Sequence, residues 1–461
     1  MGRNMPLLPV KCSLFKAVLS ALLLVAALQL VYLALLSGLH GRQQRRRYSQ
    51  LFEGPEPRGR AGEAEGDGEV EEEEEEAGSR SRRQSLVRAL QAGGSLDASG
   101  QYRLYRDVTR SPVAARGSPG LDFSLATHSS VHNLHHLPGL VRRWQAPVSV
   151  ALFAPAGDAA EALLTLHRLG LHCPGVQELV TFTLVTFSRD PVTFPEAGPA
   201  QAQAAWDPGL DLDAEPEPHA PCRRALGPLH RLRRRHRNYA LANASYPNNL
   251  LRNAARRGLP SRYVAVIDMD MLPSGGLHRL FLELVSGPGP RPGPDPGRTV
   301  FVLPALEMRH SRRLPADKPE LQRLYQVGEV RPFYDELCPR CQAPTNYTRW
   351  INLPTGPGLG VAYTLDWTDP WEPFYVGLAS VPPYDERFKQ YGFNRISQAC
   401  ELHVAGYTFA VLDNAFLIHK GFKLASEFHP QKDEENRRNR MLFRQFKQEL
   451  KVKYSESPHH C

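Results

Sequence analysis

The segment Tyr263-Val-Ala-Val-Ile-Asp268-Met-Asp270 constrains this chain more than any other. Five apolar residues in a row read as a strand buried on both faces, the kind found inside a parallel sheet. The run stops at two carboxylates. In an extended chain residues i and i+2 share a face, so Asp268 and Asp270 are expected to converge. In open α/β sheets ligands bind outside the carboxyl ends of strands. Two carboxylates there, completed by phosphate oxygens, suit Mg²⁺ or Mn²⁺. A cation on a diphosphate neutralises the charge that grows on that leaving group. Asp-x-Asp alone is common and also serves as a pair of surface acids at a turn. The strand in front of it is what gives the pair its meaning.

Neighbouring segments supply the rest of an α/β pattern. Ser124–Ser130, Val148–Phe153 and Leu179–Phe187 are strand-like, and Ala159–Leu169 follows Asp158 as a helix. Pro247–Gly258 reads as a helix opened near Pro247 and Asn248 and closed by Gly258. Strands alternating with helices argue for a sheet flanked by helices. Gly198–Arg237 and the alternating Gly and Pro of Gly287–Gly297 read as loops.

Ala17–Leu36 is a run of twenty residues interrupted only by Ser20 and Gln29. About 20 apolar residues span a bilayer as a helix. The run exceeds the ~7–15 residues of a cleavable signal core, so it reads as an uncleaved signal-anchor. The expected layout is a cytoplasmic tail over 1–16, a transmembrane helix over 17–36, a stem over 37–85 and a lumenal domain over 86–461. The stem carries Glu71–Glu76, whose like charges have no apolar stripe to fold against, and disorder is expected there. Basic flanks on both sides of the span leave its orientation undecided by charge.

Orientation is decided by the body of the chain. Of seven cysteines, six come after the apolar run: Cys173, Cys222, Cys338, Cys341, Cys400 and Cys461. That even number suits an oxidising lumen, although six cysteines allow 15 pairings. Cys338-Pro-Arg-Cys341 has no second Cys-x-x-Cys to complete a zinc site, and a structural disulfide is the expected state. Asn243 and Asn346 open N-glycosylation sequons. The net charge is +8, and the densest basic cluster, Arg231–Arg237, has no aromatic stacking platform beside it, which argues against nucleic acid.

Several further motifs extend the pattern: Tyr246-Pro-Asn-Asn-Leu-Leu-Arg-Asn253, Leu324–Tyr334, Cys341–Tyr347, Asp369-Pro-Trp-Glu-Pro-Phe-Tyr375, Asp385–Ile396, His419-Lys-Gly-Phe422 and Leu96-Asp-Ala-Ser-Gly100. Together with Ile267–Asp270 they closely resemble the β-1,4-glucuronyltransferases of the α-dystroglycan O-mannose pathway. The glutamate-rich stem, the Gly198–Arg237 loop and the Gly-Pro loop depart from that family and look like insertions. The resemblance implies a GT-A fold in the Golgi and transfer of glucuronic acid from UDP-glucuronate to a β-linked xylose. The product would prime the polymer made by a bifunctional xylosyl- and glucuronyltransferase, a candidate partner in a complex.

Roles come by the same resemblance. Asp268, Asp270 and the late His419 take the places of metal ligands, for Mn²⁺ or alternatively Mg²⁺. Thr127, His128, Asn249 and Arg252 take nucleotide-sugar positions. Arg309, Arg331, Arg349 and Lys420 are the cations available for the donor's carboxylate, and Trp371, Phe374 and Tyr375 could underlie an acceptor sugar or form core. An inverting transfer needs a carboxylate to accept the acceptor's proton. Many inverting GT-A enzymes place Glu-Asp after an aromatic-Gly motif. Here Tyr391-Gly-Phe leads into Asn394-Arg395, so Glu372 and Asp385 stand as base candidates, either of which Arg387 or Arg395 could hold structurally. Two other readings remain at this level: an N-acetylglucosaminyltransferase acting on poly-N-acetyllactosamine, and a non-catalytic Golgi escort for other transferases.

Overall fold

The computed structural model describes residues 83–461 except 116–121, 288–294, 296, 259, 428 and most of 191–243, where only Val192, Cys222, Ala225, Leu226 and Tyr239 are described. The chain divides into Met1–Glu69 and Val70–Cys461. The apolar run Ala17–Leu36, residues 37–82 of the stem, Cys12 and Asn243 lie outside the described residues, while the last three residues expected in the disordered stem, 83–85, are helical. Among the described residues no helix is long and apolar enough to cross a membrane.

Fourteen strands are described: β1 Ser95–Leu96, β2 Tyr102–Thr109, β3 Phe123–Ser130, β4 Val148–Phe153, β5 Val180–Phe187, β6 Tyr263–Asp268, β7 Met271–Pro273, β8 Thr299–Leu303, β9 Ala305–Met308, β10 Val330–Pro332, β11 Val361–Leu365, β12 Phe374–Leu378, β13 Thr408–Leu412 and β14 Leu417–Lys420. The principal helices are α1 Leu137–Trp144, α2 Ala156–His172, α3 Asn248–Arg256, α4 Leu277–Ser286, α5 Lys318–Gln326, α6 Asn394–Val404 and α7 Lys432–Lys453. The strands expected at Ser124–Ser130, Val148–Phe153 and Leu179–Phe187 and the helix at Pro247–Gly258 therefore stand within a few residues of their observed bounds.

Ten strands form one sheet in the order β1-β2-β5-β4-β3-β6-β12-β8-β13-β11. The block β5-β4-β3-β6 is parallel, and β12 enters antiparallel beside β6. This is a mixed α/β fold with a large sheet. A second sheet of four strands, β10-β9-β14-β7, begins across the turn at the end of β6.

The central strands are buried on both faces, as their unbroken apolar runs require. One face packs Phe123, Leu125, Val150 and Ile267 against α1, α2 and α4. The opposite face packs Ala126, Val264 and Val266 under α3 through Leu250, Leu251, Ala254 and Ala255. A further apolar cluster gathers Trp350, Trp371, Phe388 and Phe409 with α6 and the inner side of α7. Trp371, Phe374 and Tyr375 are all buried, so they are core and not an open platform.

Three disulfides join Cys173 to Cys222, Cys338 to Cys341 and Cys400 to Cys461. The last ties the residues after α7 to the buried face of α6. Replacing Cys400 and Cys461 together by serine should cost about 2–5 kcal/mol of stability. Thermal unfolding without reductant measures that loss, and the wild-type protein under reductant should approach the variant.

Candidate functional site

The parallel register sets His128 of β3 beside Asp268 of β6, at adjoining carboxyl ends. β6 ends at Asp268. Met269 and Asp270 form a turn, and Met271 begins β7 in the second sheet. The two carboxylates are therefore not successive same-face residues of one strand, as the extended-chain reading expects. The chain changes sheets between them because Met269 turns into the core. Each carboxylate consequently acquires its own set of partners.

Asp268 is gripped by cations on both oxygens. Oδ1 accepts from Arg252 Nη2 at 3.1 Å and lies 3.4 Å from His128 Nε2. Oδ2 accepts from Arg395 Nη1 at 2.8 Å. Burial pushes this carboxyl up, but Arg395, His128 and Arg252 outweigh it and hold it well below its ordinary value. Asp270 Oδ2 faces His419 Nε2 at 3.1 Å and Lys423 Nζ at 3.2 Å. Here too burial opposes ionisation, and Lys423 and His419 more than offset it.

The register of β14 against β7 pairs His419 with Met271, which delivers the imidazole to Asp270. His419 Nδ1 lies 2.7 Å from the Gly421 carbonyl, which can only accept, so Nδ1 carries a proton. In the neutral ring the Nε2 lone pair then points at a carboxylate oxygen. Only a proton or a metal cation satisfies both groups. Their 3.1 Å spacing matches adjacent corners of an octahedron with bonds of ~2.1 Å. Asp270 and His419 thus fit a divalent cation, and Asp268, within the same turn, is the carboxylate already committed to arginines. Among the described residues no group of three or more His, Cys, Asp or Glu stands close enough to hold a metal together.

Helix α3 explains how an arginine can be buried beside Asp268. Its polar face, turned to the segment 382–394, repeats Asn249, Arg252, Asn253 and Arg256, the i, i+3, i+4, i+7 spacing of one helical stripe. Asn249 Oδ1 accepts from Arg252 Nη1 at 2.9 Å, while its Nδ2 donates to the Asp385 and Asn394 carbonyls. Asn249 is thus a holder of Arg252. Thr127 is fully buried and alternates onto the opposite face from His128, among Leu125, Val150 and Ile267. His128 faces the site, with the Tyr246 hydroxyl 2.8 Å from Nδ1, and burial pushes its pKa down despite Asp268.

Arg395 comes from the first turn of α6. The turn ahead of it uses Gly392 at φ 94° and Phe393 at φ 60°, and Asn439 of α7 donates to the Lys389, Tyr391 and Gly392 carbonyls. A Cβ on Gly392 would come 2.5 Å from Asn436 Oδ1, so this turn tolerates glycine alone. The guanidinium lies over Phe374 at 4.1 Å and also meets Glu372 at 3.4 Å. Burial raises the Glu372 pKa, opposed by Arg395.

The two base candidates separate clearly. Glu372 is buried against the Asp268 cluster through Arg395. Asp385 is instead locked by Arg387, whose backbone N–H and Nε both donate to it, and Arg387 also pairs with Glu449. Among the cations considered for the donor's carboxylate, Arg309 and Arg331 flank Phe422 and pair with Glu329 and Glu307. Arg349 lies over Tyr363, and Lys420 occupies the end of β14. Sequence reading overlooks Lys423 and Tyr246 as members of the site. Tyr246 opens the Tyr-Pro-Asn-Asn motif and Lys423 comes directly after His419–Phe422, so adjacency to those motifs is the signal that could have found them. Asn346 is exposed at its sequon and caps a short helix.

Protonation of Asp268 should destabilise the fold. Its pKa is depressed, so the stabilisation is present above the unfolded value of ~3.9 and is lost as pH falls through the folded value. Acid unfolding followed by circular dichroism should therefore be less steep in Asp268→Asn. Separately, Arg395→Met leaves the buried Glu372 without its cation and Asp268 with Arg252 and His128 alone, and should cost about 3–5 kcal/mol by thermal unfolding at neutral pH.

Comparison with known proteins agrees with this geometry. The family model described as "Glycosyl-transferase for dystroglycan" matches residues 122–455, which include all the residues of the cluster. The chain is 50% identical over 460 residues to "Beta-1,4-glucuronyltransferase 1" of Danio rerio, covering 98% of this chain and 99% of that one. It is 50% identical over 378 residues to the protein of the same name from Homo sapiens, 81% of this chain and 84% of that one. It is 33% identical over 178 residues to "Xylosyl- and glucuronyltransferase LARGE2s" of Gallus gallus, 38% of this chain and 22% of that one.

Proposed function

The chain belongs to the family of dystroglycan glycosyltransferases, and from that premise we propose that it transfers glucuronic acid from UDP-glucuronate to a β-linked xylose, priming the O-mannosyl glycan of α-dystroglycan for polymer extension. The observation that carries the donor and linkage is the 50% identity to a β-1,4-glucuronyltransferase across 98% of the chain. The proposal includes a GT-A architecture, a Golgi location, a signal-anchor over 17–36, a stem over 37–85 and the lumenal catalytic domain over 86–461. A complex with the bifunctional xylosyl- and glucuronyltransferase that extends the product is part of the same reading.

Asp270 and His419 would hold Mn²⁺, with Asp268 in the same turn. When bound, the cation supplies charge neutralisation to the departing diphosphate. The chain's own groups do the remainder. Arg252 and Arg395 fix Asp268, and Lys423 adds a positive charge facing the space where phosphates would lie. His128, neutral and buried, offers a ring edge to the nucleotide. Glu372 accepts the proton of the attacking xylose hydroxyl, since an α-linked donor giving a β-linked product requires attack from the opposite side. Burial raises its pKa, opposed by Arg395, and a raised pKa increases the proton affinity that this task needs.

A donor screen with a β-xyloside tests the whole reading: UDP-glucuronate should be consumed and UDP-N-acetylglucosamine should not. The reverse selectivity would refute the glucuronyl assignment in favour of the N-acetylglucosaminyl one, and no turnover of any donor would favour an escort. Asp270→Asn should abolish Mn²⁺-dependent transfer while secretion of the domain truncated to remove the anchor persists. Glu372→Gln should lower kcat by about 10²–10⁴-fold with little change in thermal stability. In the wild type, kcat/KM should fall on the acid side with an apparent pKa above ~4.3, and that limb should vanish in Glu372→Gln.

A further inference from the structure

Glu307 lies in the second sheet, fully buried, and takes no part in the chemistry assigned to Asp268, Asp270 and Glu372. The registers of β10, β9 and β14 set Arg331, Glu307 and His419 in one row across the strands. A buried carboxylate is costly there, and an apolar side chain would fill the same strand position without that cost. Its two oxygens show what it does. Oε1 accepts from Arg331 Nε at 2.6 Å, which neutralises it. Oε2 goes instead to a backbone group, the N–H of Lys423 at 3.1 Å. Among the described residues no three His, Cys, Asp or Glu stand close enough to share a metal, so Glu307 is not a third ligand beside Asp270 and His419.

Lys423 is the residue for which that bond matters. Residues 421–423 belong to no helix or strand. They are attached to β9 by the Gly421 N–H, which donates to the Met308 carbonyl at 2.7 Å, and by the Lys423 N–H on Glu307. Phe422, between them, lies against the Arg331 guanidinium at 4.3 Å. The Gly421 carbonyl holds His419 Nδ1, and the Lys423 ammonium reaches Asp270 Oδ2. The first attachment therefore serves the imidazole and the second serves the ammonium. Lysine has a long flexible stem that samples many directions when its backbone is free. Fixing the N–H of that residue fixes the direction in which the stem leaves the chain.

We propose that Glu307 is a positioning residue for the transfer reaction: its carboxylate fixes the Lys423 backbone so that the ammonium already stands where the donor's diphosphate binds. The inference rests on the reading of the Asp270 site as one for a metal-bound diphosphate and deepens it. The gain is preorganisation. A lysine that became ordered only when the donor arrived would weaken binding by the cost of that ordering, about three- to tenfold in Kd.

The test measures UDP binding by calorimetry in saturating Mn²⁺, and Mn²⁺ binding by electron paramagnetic resonance without nucleotide, on the full-length protein. Glu307→Met removes the acceptor of the Lys423 N–H. Glu307→Met combined with Arg331→Met does the same without leaving that guanidinium unpaired, so a folding defect in the first leaves the second to decide. Lys423→Met is the reference. Both Glu307 variants should bind UDP about three- to tenfold more weakly, with Mn²⁺ affinity undiminished. Adding Lys423→Met to either should weaken UDP binding no further than Lys423→Met does alone, because both residues act through one ammonium. Wild-type UDP affinity in the Glu307 variants, or losses that add, overturns the proposal. So does an equal loss of Mn²⁺ affinity, or failure of both variants to fold, since Glu307 would then support the fold alone. A wild type that binds Mn²⁺ and UDP but consumes no UDP-glucuronate sinks the glucuronyl reading and leaves these comparisons to decide on Glu307. A wild type that binds no UDP overturns both.

Discussion

The ion cluster at Asp268 is the constraint on which the rest of the structure depends. A half-buried carboxylate is costly unless paired, and this one is paired twice, by Arg252 from α3 and by Arg395 from α6. Each arginine in turn requires its own support. Arg252 needs Asn249, and Arg395 needs Glu372 and the ring of Phe374. The cluster therefore fixes two helices against the end of one strand. Its orientation is what leaves Asp270, two residues later, free to meet His419 from the second sheet.

The same cluster accounts for the departure at Asn394-Arg395. Where many enzymes of the resembled fold carry acidic residues, this chain carries a cation whose two hydrogen-bonding edges serve two carboxylates. Glu372 then stands near the site with its proton affinity set by the balance of burial against Arg395. Glu372 reaches this cluster from the loop before β12, and the arginine is what connects it to Asp268.

Much of the first half of the fold was legible because its elements are local. Buried parallel strands announce themselves as apolar runs, and β4 is read at its observed bounds. Helix α3 is marked by Pro247 and Gly258. Asp268, Asp270 and His419 were legible as residue types after strands. What was not legible is long range. Nothing local signals that the chain leaves β6 at Asp268, because Met269 reads as a continuation of the apolar run until the second sheet competes for Met271–Pro273. Arg395 looks like any surface arginine of a helix start until its partner, 127 residues away, is placed beside it. Asp385 and Glu372 are equivalent on paper, and only the packing of Arg387 against Asp385 separates them.

The placement of Asp270 in the turn between two sheets has a consequence in time. Its partners Lys423 and His419 are 153 and 149 residues further along, on or just after a strand that can form only once β9 is present to pair with it. At ~5–20 residues per second, a ribosome exposes β3 and β6 many seconds before Lys423 emerges. During that interval Asp270 has neither of these partners. The pairing of Asp270 is thus completed only when nearly all of the polypeptide has been made.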